Sequence, residues 1–149
     1  MIADKAMTNA ALLSLLKRKK ACPEAVAWVG TRDLATAWRE CERADWMLWL
    51  CGIMAGTKNW PIWQQVVLAT CACARQALRF VPAGENRPLA AIEAAEVWAK
   101  MPTTGAAAGA AARAAGAAEA AAGAGWAARA AEHKAMAKLL RRMLTVPSD

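Results

Sequence analysis

The sequence contains no tyrosine, one phenylalanine and one histidine, and its apolar runs are all too short to cross a membrane. A single histidine argues against a zinc site built from cysteine and histidine and against a histidine-based catalytic triad. A glycine-rich phosphate loop followed by lysine is also absent. We therefore expect no enzymatic activity, no catalytic residue, no metal and no cofactor. The eight tryptophans are left as the large aromatic residues.

Strand-forming residues are scarce, whereas alanine, leucine, methionine, arginine, lysine and glutamate dominate. This balance predicts an all-α protein. A length of 149 residues is typical of one domain, and the apolar spacing predicts a single-domain bundle of about seven or eight helices. The first two helices are expected at 8–20 and from Pro23 to Gly30, and a third begins after a Thr31 cap. A fourth is expected at 42–55, either separate or continuing the third helix after a kink. Further helices are expected at 60–80, from Pro88 to Lys100, and at 126–145.

Two parts of the single domain differ in composition. Residues 1–102 form a tryptophan-rich helical core, and residues 103–149 form a long segment rich in alanine and glycine. That segment is either one long helix over 104–144 or a hairpin of two helices joined near 123–125. The hairpin is preferred, because a single helix would be roughly 60 Å long at 1.5 Å per residue.

The stretch 31–56 is expected to be the centre of the fold, because it holds three tryptophans and follows a fourth. Trp46, Leu50, Ile53 and Met54 fall on one side of a helix, with Trp49 adjacent. The helix at 60–80 is apolar on all sides and should lie among the others as the central helix.

The five cysteines follow a start whose basic run comes after its apolar run, the reverse of a signal peptide. We therefore expect a cytoplasmic protein with free, mostly buried thiols. The lone histidine, His133, is expected at the surface near Glu132. The paired carboxylates Glu93 and Glu96 are expected to form ion pairs with arginine or lysine at the edge of the core, the candidates being Arg39, Arg43, Arg75 and Lys100.

The net charge of +7 belongs to the two ends of the chain. Residues 1–20 carry +4, residues 21–102 are neutral, and residues 103–149 carry +3. A run of four cations at 17–20 also suits the negative C-terminal end of a helix dipole, which is the purely structural interpretation. If the basic ends instead contact a partner, the candidate binding residues are Lys17, Arg18, Lys19, Lys20, Lys138, Arg141 and Arg142.

Two segments carry a resemblance to a known family. They are GTRDLATAWRECERADWMLWLCG at 30–52 and VLATCACARQALRFVPAGENRPLAAIEAAEVWA at 67–99, followed by the alanine-rich tail. The chain from about residue 22 resembles the immunity proteins, small helical proteins of bacterial toxin–immunity loci and phages. It departs from that pattern at Glu42, where a proline is expected, and in the glycines of the tail.

The resemblance implies a non-enzymatic inhibitor that neutralises a partner protein by forming a tight complex. The basic charge favours a partner with an acidic surface. An alternative is a phage or mobile-element inhibitor of a host defence complex, similar in mode to an anti-CRISPR protein. Another is a protein that associates with nucleic acid through its basic ends. None of these alternatives involves a membrane.

Overall fold

The computed structural model describes residues 6–101 and 130–147. All regular structure in these two ranges is helical, without a strand, so the prediction of an all-α fold is confirmed. The helices are α1 (Asn9–Arg18), α2 (Pro23–Val29), α3 (Leu34–Glu40), α4 (Ala44–Met54), α5 (Trp63–Ala77), α6 (Arg87–Lys100) and α7 (Ala130–Met143). A short 3-10 turn, Leu78–Phe80, extends α5.

The segment rich in alanine and glycine falls mostly outside the described residues. Only α7 lies within them, and it ends close to the predicted end of the last helix at 145. The choice between one helix over 104–144 and a hairpin joined near 123–125 therefore stays a prediction.

Local side chains fix where the first three helices begin and end. The Thr8 hydroxyl accepts a hydrogen bond from the Ala11 N–H at 3.3 Å and caps α1. Gly30 ends α2 with a positive φ of 52°. The predicted cap of α3 at Thr31 was wrong. The Arg32 N–H bonds to the Val29 carbonyl and keeps the chain in a turn, so Asp33 provides the cap by accepting the Thr36 N–H at 2.8 Å.

A break at residues 41–43 separates α3 from α4, so the second half of the tryptophan-rich stretch is a helix of its own. The Cys41 sulfur accepts the Arg43 N–H at 3.4 Å, and α4 begins only at Ala44. The break turns α4 away from α3, which lets both helices border the same space.

The prediction of α5 as the central helix is confirmed. It packs against α4, α6 and α7, and most of its residues between Val66 and Ala77 are buried. The Arg75 guanidinium binds both Glu96 carboxylate oxygens, at 2.7 and 2.8 Å, and links α5 to α6. This is one of the ion pairs expected for Glu93 and Glu96.

The amphipathic helix α7 closes the bundle. Its apolar face buries Met136, Ala137 and Leu140, and Leu144 continues that face beyond the helix end. Polar side chains on α7 also reach other elements, because Lys134 pairs with Glu42 at 3.3 Å. No helix in the described ranges has the length and apolar character needed to cross a bilayer.

Candidate functional site

The four N-terminal helices enclose a cavity of about 550 Å³, which we call the tryptophan cavity. Apolar residues from all four helices line this cavity. Leu12 and Leu16 come from α1, Leu34 from α3, and Met47 and Leu50 from α4. These side chains are buried members of the main core, so the cavity opens directly over the core of the molecule.

Four tryptophans line this cavity: Trp28, Trp38, Trp46 and Trp49. All four are only half-buried. The Trp28 and Trp46 rings meet at a tilt of 54°, with their centroids 6.1 Å apart, which is within the range of favourable aromatic pairs. Trp46, Leu50, Ile53 and Met54, predicted on one side of α4, all contact the core: Leu50 is buried and the other three are half-buried. The buried residues of α4 also include Ala44, Met47, Leu48 and Cys51.

Two arginines lie over tryptophan rings of the cavity. The Arg32 guanidinium carbon is 4.5 Å from the Trp28 ring centroid, and that of Arg43 is 4.4 Å from the Trp46 centroid. Arg32 also donates to the Trp28 carbonyl at 2.6 Å and to Glu40 at 2.8 Å. These stacked arrangements fix the orientation of both rings and engage both cations.

Four charged residues line the cavity: Lys20, Glu24, Arg43 and Asp45. Arg43 donates to both Asp45 oxygens, at 2.9 and 2.7 Å. Partial burial raises the pKa of Asp45, but the Arg43 hydrogen bonds and charge outweigh it and hold that pKa below its usual range. Asp45 is therefore ionised at neutral pH, and the pair adds no net charge to the cavity.

Of the four predicted basic residues of the first helix, Lys20 lines this cavity and the other three precede it in the chain. Lys17 and Arg18 form the last turn of α1, and Lys19 caps it. Lys20 follows with a φ of 59°. All four side chains are exposed, and none forms an ion pair with another described residue. We refer to these four residues as the basic run.

The predicted basic residues of α7 divide into two groups. Lys138 and Arg142 are exposed. Arg141 is half-buried and donates from Nη1 to the Trp38 carbonyl at 3.2 Å and to the Cys41 carbonyl at 2.8 Å. Trp38 and Cys41 both line the cavity, so Arg141 supports its wall from α7.

The prediction of His133 as a surface residue was wrong. Its side chain is 11% exposed, and Nδ1 lies 3.6 Å from Asp45 Oδ1. Its neighbour Glu132 is also buried and accepts a hydrogen bond from Arg79 at 2.9 Å. Both residues lie on the side of α7 that faces the bundle, one turn before Met136 and Ala137, although the polar local sequence suggested an exposed stretch.

The prediction of free and mostly buried thiols is confirmed, since four of the five cysteines are buried and Cys22 is exposed. Burial raises the pKa of Cys71 to about 11 and that of Cys51 and Cys73 to about 12. Burial likewise raises the pKa of Cys41, the buried thiol of the cavity lining, although the Arg43 N–H partly offsets it. These thiols stay protonated at neutral pH and are poor nucleophiles.

The described residues contain no group of three or more histidine, cysteine, aspartate or glutamate side chains able to hold a metal ion. Comparison with known proteins found no matching family model, no matching curated protein and no matching solved structure. The function of the cavity must therefore be argued from its own chemistry.

The sequence indicated the tryptophans and the basic run but not that they lie together in the fold. Each tryptophan has apolar neighbours at helical spacing, which predicts a position in the core. Four of them on three successive short helices were the available signal. The cavity itself depends on how those helices pack, which the spacing of residues within one helix does not encode.

Proposed function

We propose that this protein acts without catalysis, by binding an acidic partner protein tightly and blocking it, in the manner of an immunity protein in the cytoplasm. The observation that carries the proposal is that the basic run, four exposed cations without described ion-pair partners, ends at Lys20 in the lining of an open apolar cavity.

The two features supply different parts of a protein interface. Unpaired surface cations attract an acidic partner and select against basic ones. Desolvated aromatic pockets supply most of the affinity, and tryptophan and arginine are the residues most enriched among energetically dominant contacts. The tryptophan cavity offers four indole rings in one recess.

The resemblance to immunity proteins supports the same mode of action. One of the two resembling segments, 30–52, spans α3 and α4 and so provides much of the cavity lining. An inhibitor of a host defence complex would use the same surface on a different partner. The second candidate function, nucleic-acid association, is favoured by the basic run alone, because four neighbouring cations suit phosphate contacts.

The test is affinity purification from lysate of the native host, with and without nuclease, at low and at moderate salt. The wild-type protein is compared with Lys20→Glu and with Lys100→Glu, an exposed lysine of α6 that does not line the cavity. We expect one stoichiometric protein partner at both salt concentrations, retained by Lys100→Glu and depleted with Lys20→Glu.

If a partner is recovered only at low salt and is lost on nuclease treatment, the protein associates with nucleic acid and the proposal of a protein partner is wrong. Equal recovery of a protein partner by all three variants would place the interface elsewhere on the molecule. The identity of a recovered partner also decides between an immunity protein and an inhibitor of a defence complex.

A further inference from the structure

The tryptophan cavity has room for a guest. Its volume of about 550 Å³ lies in the range of sites that hold a ligand or a large side chain. Only four of its nineteen lining residues carry charge, so an occupant that fills it must present mostly apolar surface.

The rings that line the cavity differ in how far they are already engaged. Trp28 and Trp46 contact each other, and each has an arginine over it. Within the described part of the chain, neither Trp38 nor Trp49 has an aromatic or cationic partner. An inserted aromatic ring would have these two indoles as its edge-to-face or offset-stacked partners.

The charges beside the cavity define what should flank that ring. Arg43 and Asp45 neutralise each other, which leaves Lys20 opposed only by the exposed Glu24 in the lining. The basic run continues from Lys20 back to Lys17, about one helical turn or 5 Å. Because successive helical side chains point about 100° apart, the four cations spread around the end of α1, where they can pair with more than one carboxylate of a polypeptide.

We infer that the partner inserts one aromatic side chain, flanked on both sides by acidic residues, into the tryptophan cavity. The ring packs among Trp38, Trp49 and the apolar floor, and the flanking carboxylates lie against the basic run. This inference rests on the proposed function and specifies the chemistry of the partner at that interface.

The probes are three blocked pentapeptides: Glu-Glu-Phe-Glu-Glu, Glu-Glu-Ala-Glu-Glu and Lys-Lys-Phe-Lys-Lys. Each is titrated into the full-length ¹⁵N-labelled protein while the indole N–H signals are followed by NMR, with assignments from single Trp→Phe variants. Trp28, Trp38, Trp46 and Trp49 report on the cavity. Trp60 and Trp98, which do not line it, serve as internal controls.

We expect the acidic phenylalanine peptide to shift the four cavity signals and leave the two control signals in place. It should bind at least about tenfold more tightly than the alanine peptide, because a buried aromatic anchor dominates such contacts. Lys-Lys-Phe-Lys-Lys should bind more weakly, and salt should reduce this difference.

Two matched variants sharpen the result. Ala25 lines the cavity, whereas the exposed Ala27 on the same helix does not. Ala25→Phe should fill the cavity and abolish the shifts caused by the acidic phenylalanine peptide, and Ala27→Phe should preserve them. A thermal melt of each variant checks that the fold is retained, and if Ala25→Phe fails to fold, Ala25→Leu takes its place.

Failure of this inference and failure of the proposed function give different signals. If both acidic peptides shift the backbone amides of the basic run equally and no indole moves, the partner uses charge alone and the cavity inference is overturned. If the indoles move equally with the acidic and basic phenylalanine peptides, the acidic flank is overturned. Absence of any shift at millimolar peptide overturns the inference, while lysate capture that depends on Lys20 would leave the proposed function standing.

Discussion

The two halves of the bundle differ in how many half-buried tryptophans they contain. Around α5, α6 and α7, the fully buried positions include small residues such as Ala69, Cys73 and Ala95. Around α1 to α4, the large indoles of Trp28, Trp38 and Trp46 stay half-buried. The half around α1 to α4 also encloses a cavity of about 550 Å³.

This contrast shows how side-chain size controls the space between helices. Alanine and cysteine let helices approach closely, toward the short end of the usual range of 8–10 Å between axes. Tryptophan holds neighbouring helices apart and is rarely buried completely, because its shape is hard to surround on all sides. Several tryptophans at one junction therefore leave a recess.

Truncation should reveal this difference most strongly. Ile92 is completely buried between α6 and its neighbours, so Ile92→Ala should lower the free energy of unfolding by about 2–5 kcal/mol. Trp46→Ala removes more atoms but should cost no more than Ile92→Ala, because the half-buried ring borders an open cavity. Urea unfolding of both variants measures the two costs. A clearly larger loss for Trp46→Ala would mean that the tryptophan half is as tightly packed as the other.

Enlarging an alanine tests the same contrast from the opposite direction. Ala95→Leu places three extra carbons where the side chain is 0% exposed and should cost about 1–3 kcal/mol through overpacking. The same change at Ala25, beside the cavity, should alter stability by less than about 0.5 kcal/mol. Thermal and urea unfolding of the pair supply the comparison. Equal costs at the two positions would contradict the difference in packing.

The pH dependence should expose the ion pair at the start of α4, in the half that holds the cavity. Because the folded-state pKa of Asp45 lies below its ordinary value of 3.8, its ion pair with Arg43 adds stability above that pH. This contribution is lost as the pH falls through the folded-state pKa of Asp45, which lies below 3.8. The stability difference between wild type and Asp45→Asn should therefore be largest near neutral pH and shrink in acid. A difference independent of pH would show that the Asp45 charge does not contribute.

Charge reversal of the basic run should have only a small effect on stability, because all four side chains are exposed. Replacing all four residues by glutamate should leave the fold intact, and the largest loss, about 0.3–1 kcal/mol, is expected where a reversed charge faces the negative end of the α1 dipole. Arg141→Glu is the contrasting variant, because it removes two hydrogen bonds to α3 and to the residue that follows it. We expect Arg141→Glu alone to lower the melting temperature more than the reversed run. The opposite order would make the basic run structural.

Much of the fold followed from local patterns. Pro23 and Gly30 bound α2, and Thr8 caps α1, because these residues act on backbone groups within one turn. The apolar character of 60–80 identified a central helix, because a helix apolar on all sides must be enclosed. The cap of α3 was misplaced by two residues, because a turn at Val29–Arg32 shifted its start.

The candidate site was less predictable, because it joins residues that are far apart in the sequence. Arg141 donates to the carbonyls of Trp38 and Cys41, about a hundred positions earlier. His133 reaches Asp45 in the same way, which is why a polar local context gave the wrong prediction of an exposed histidine. Local spacing describes one helix at a time and contains no information on such pairs.

The sequence by itself determined the helical class, most helix boundaries, the free thiols and the clustering of charge at its ends, because each depends on neighbouring residues or composition. Only the tertiary structure decided that four tryptophans share one cavity, that the basic run borders it, and that His133 is buried. Those features arise from the angles at which short helices meet, and these angles are set by packing among residues distant in the chain.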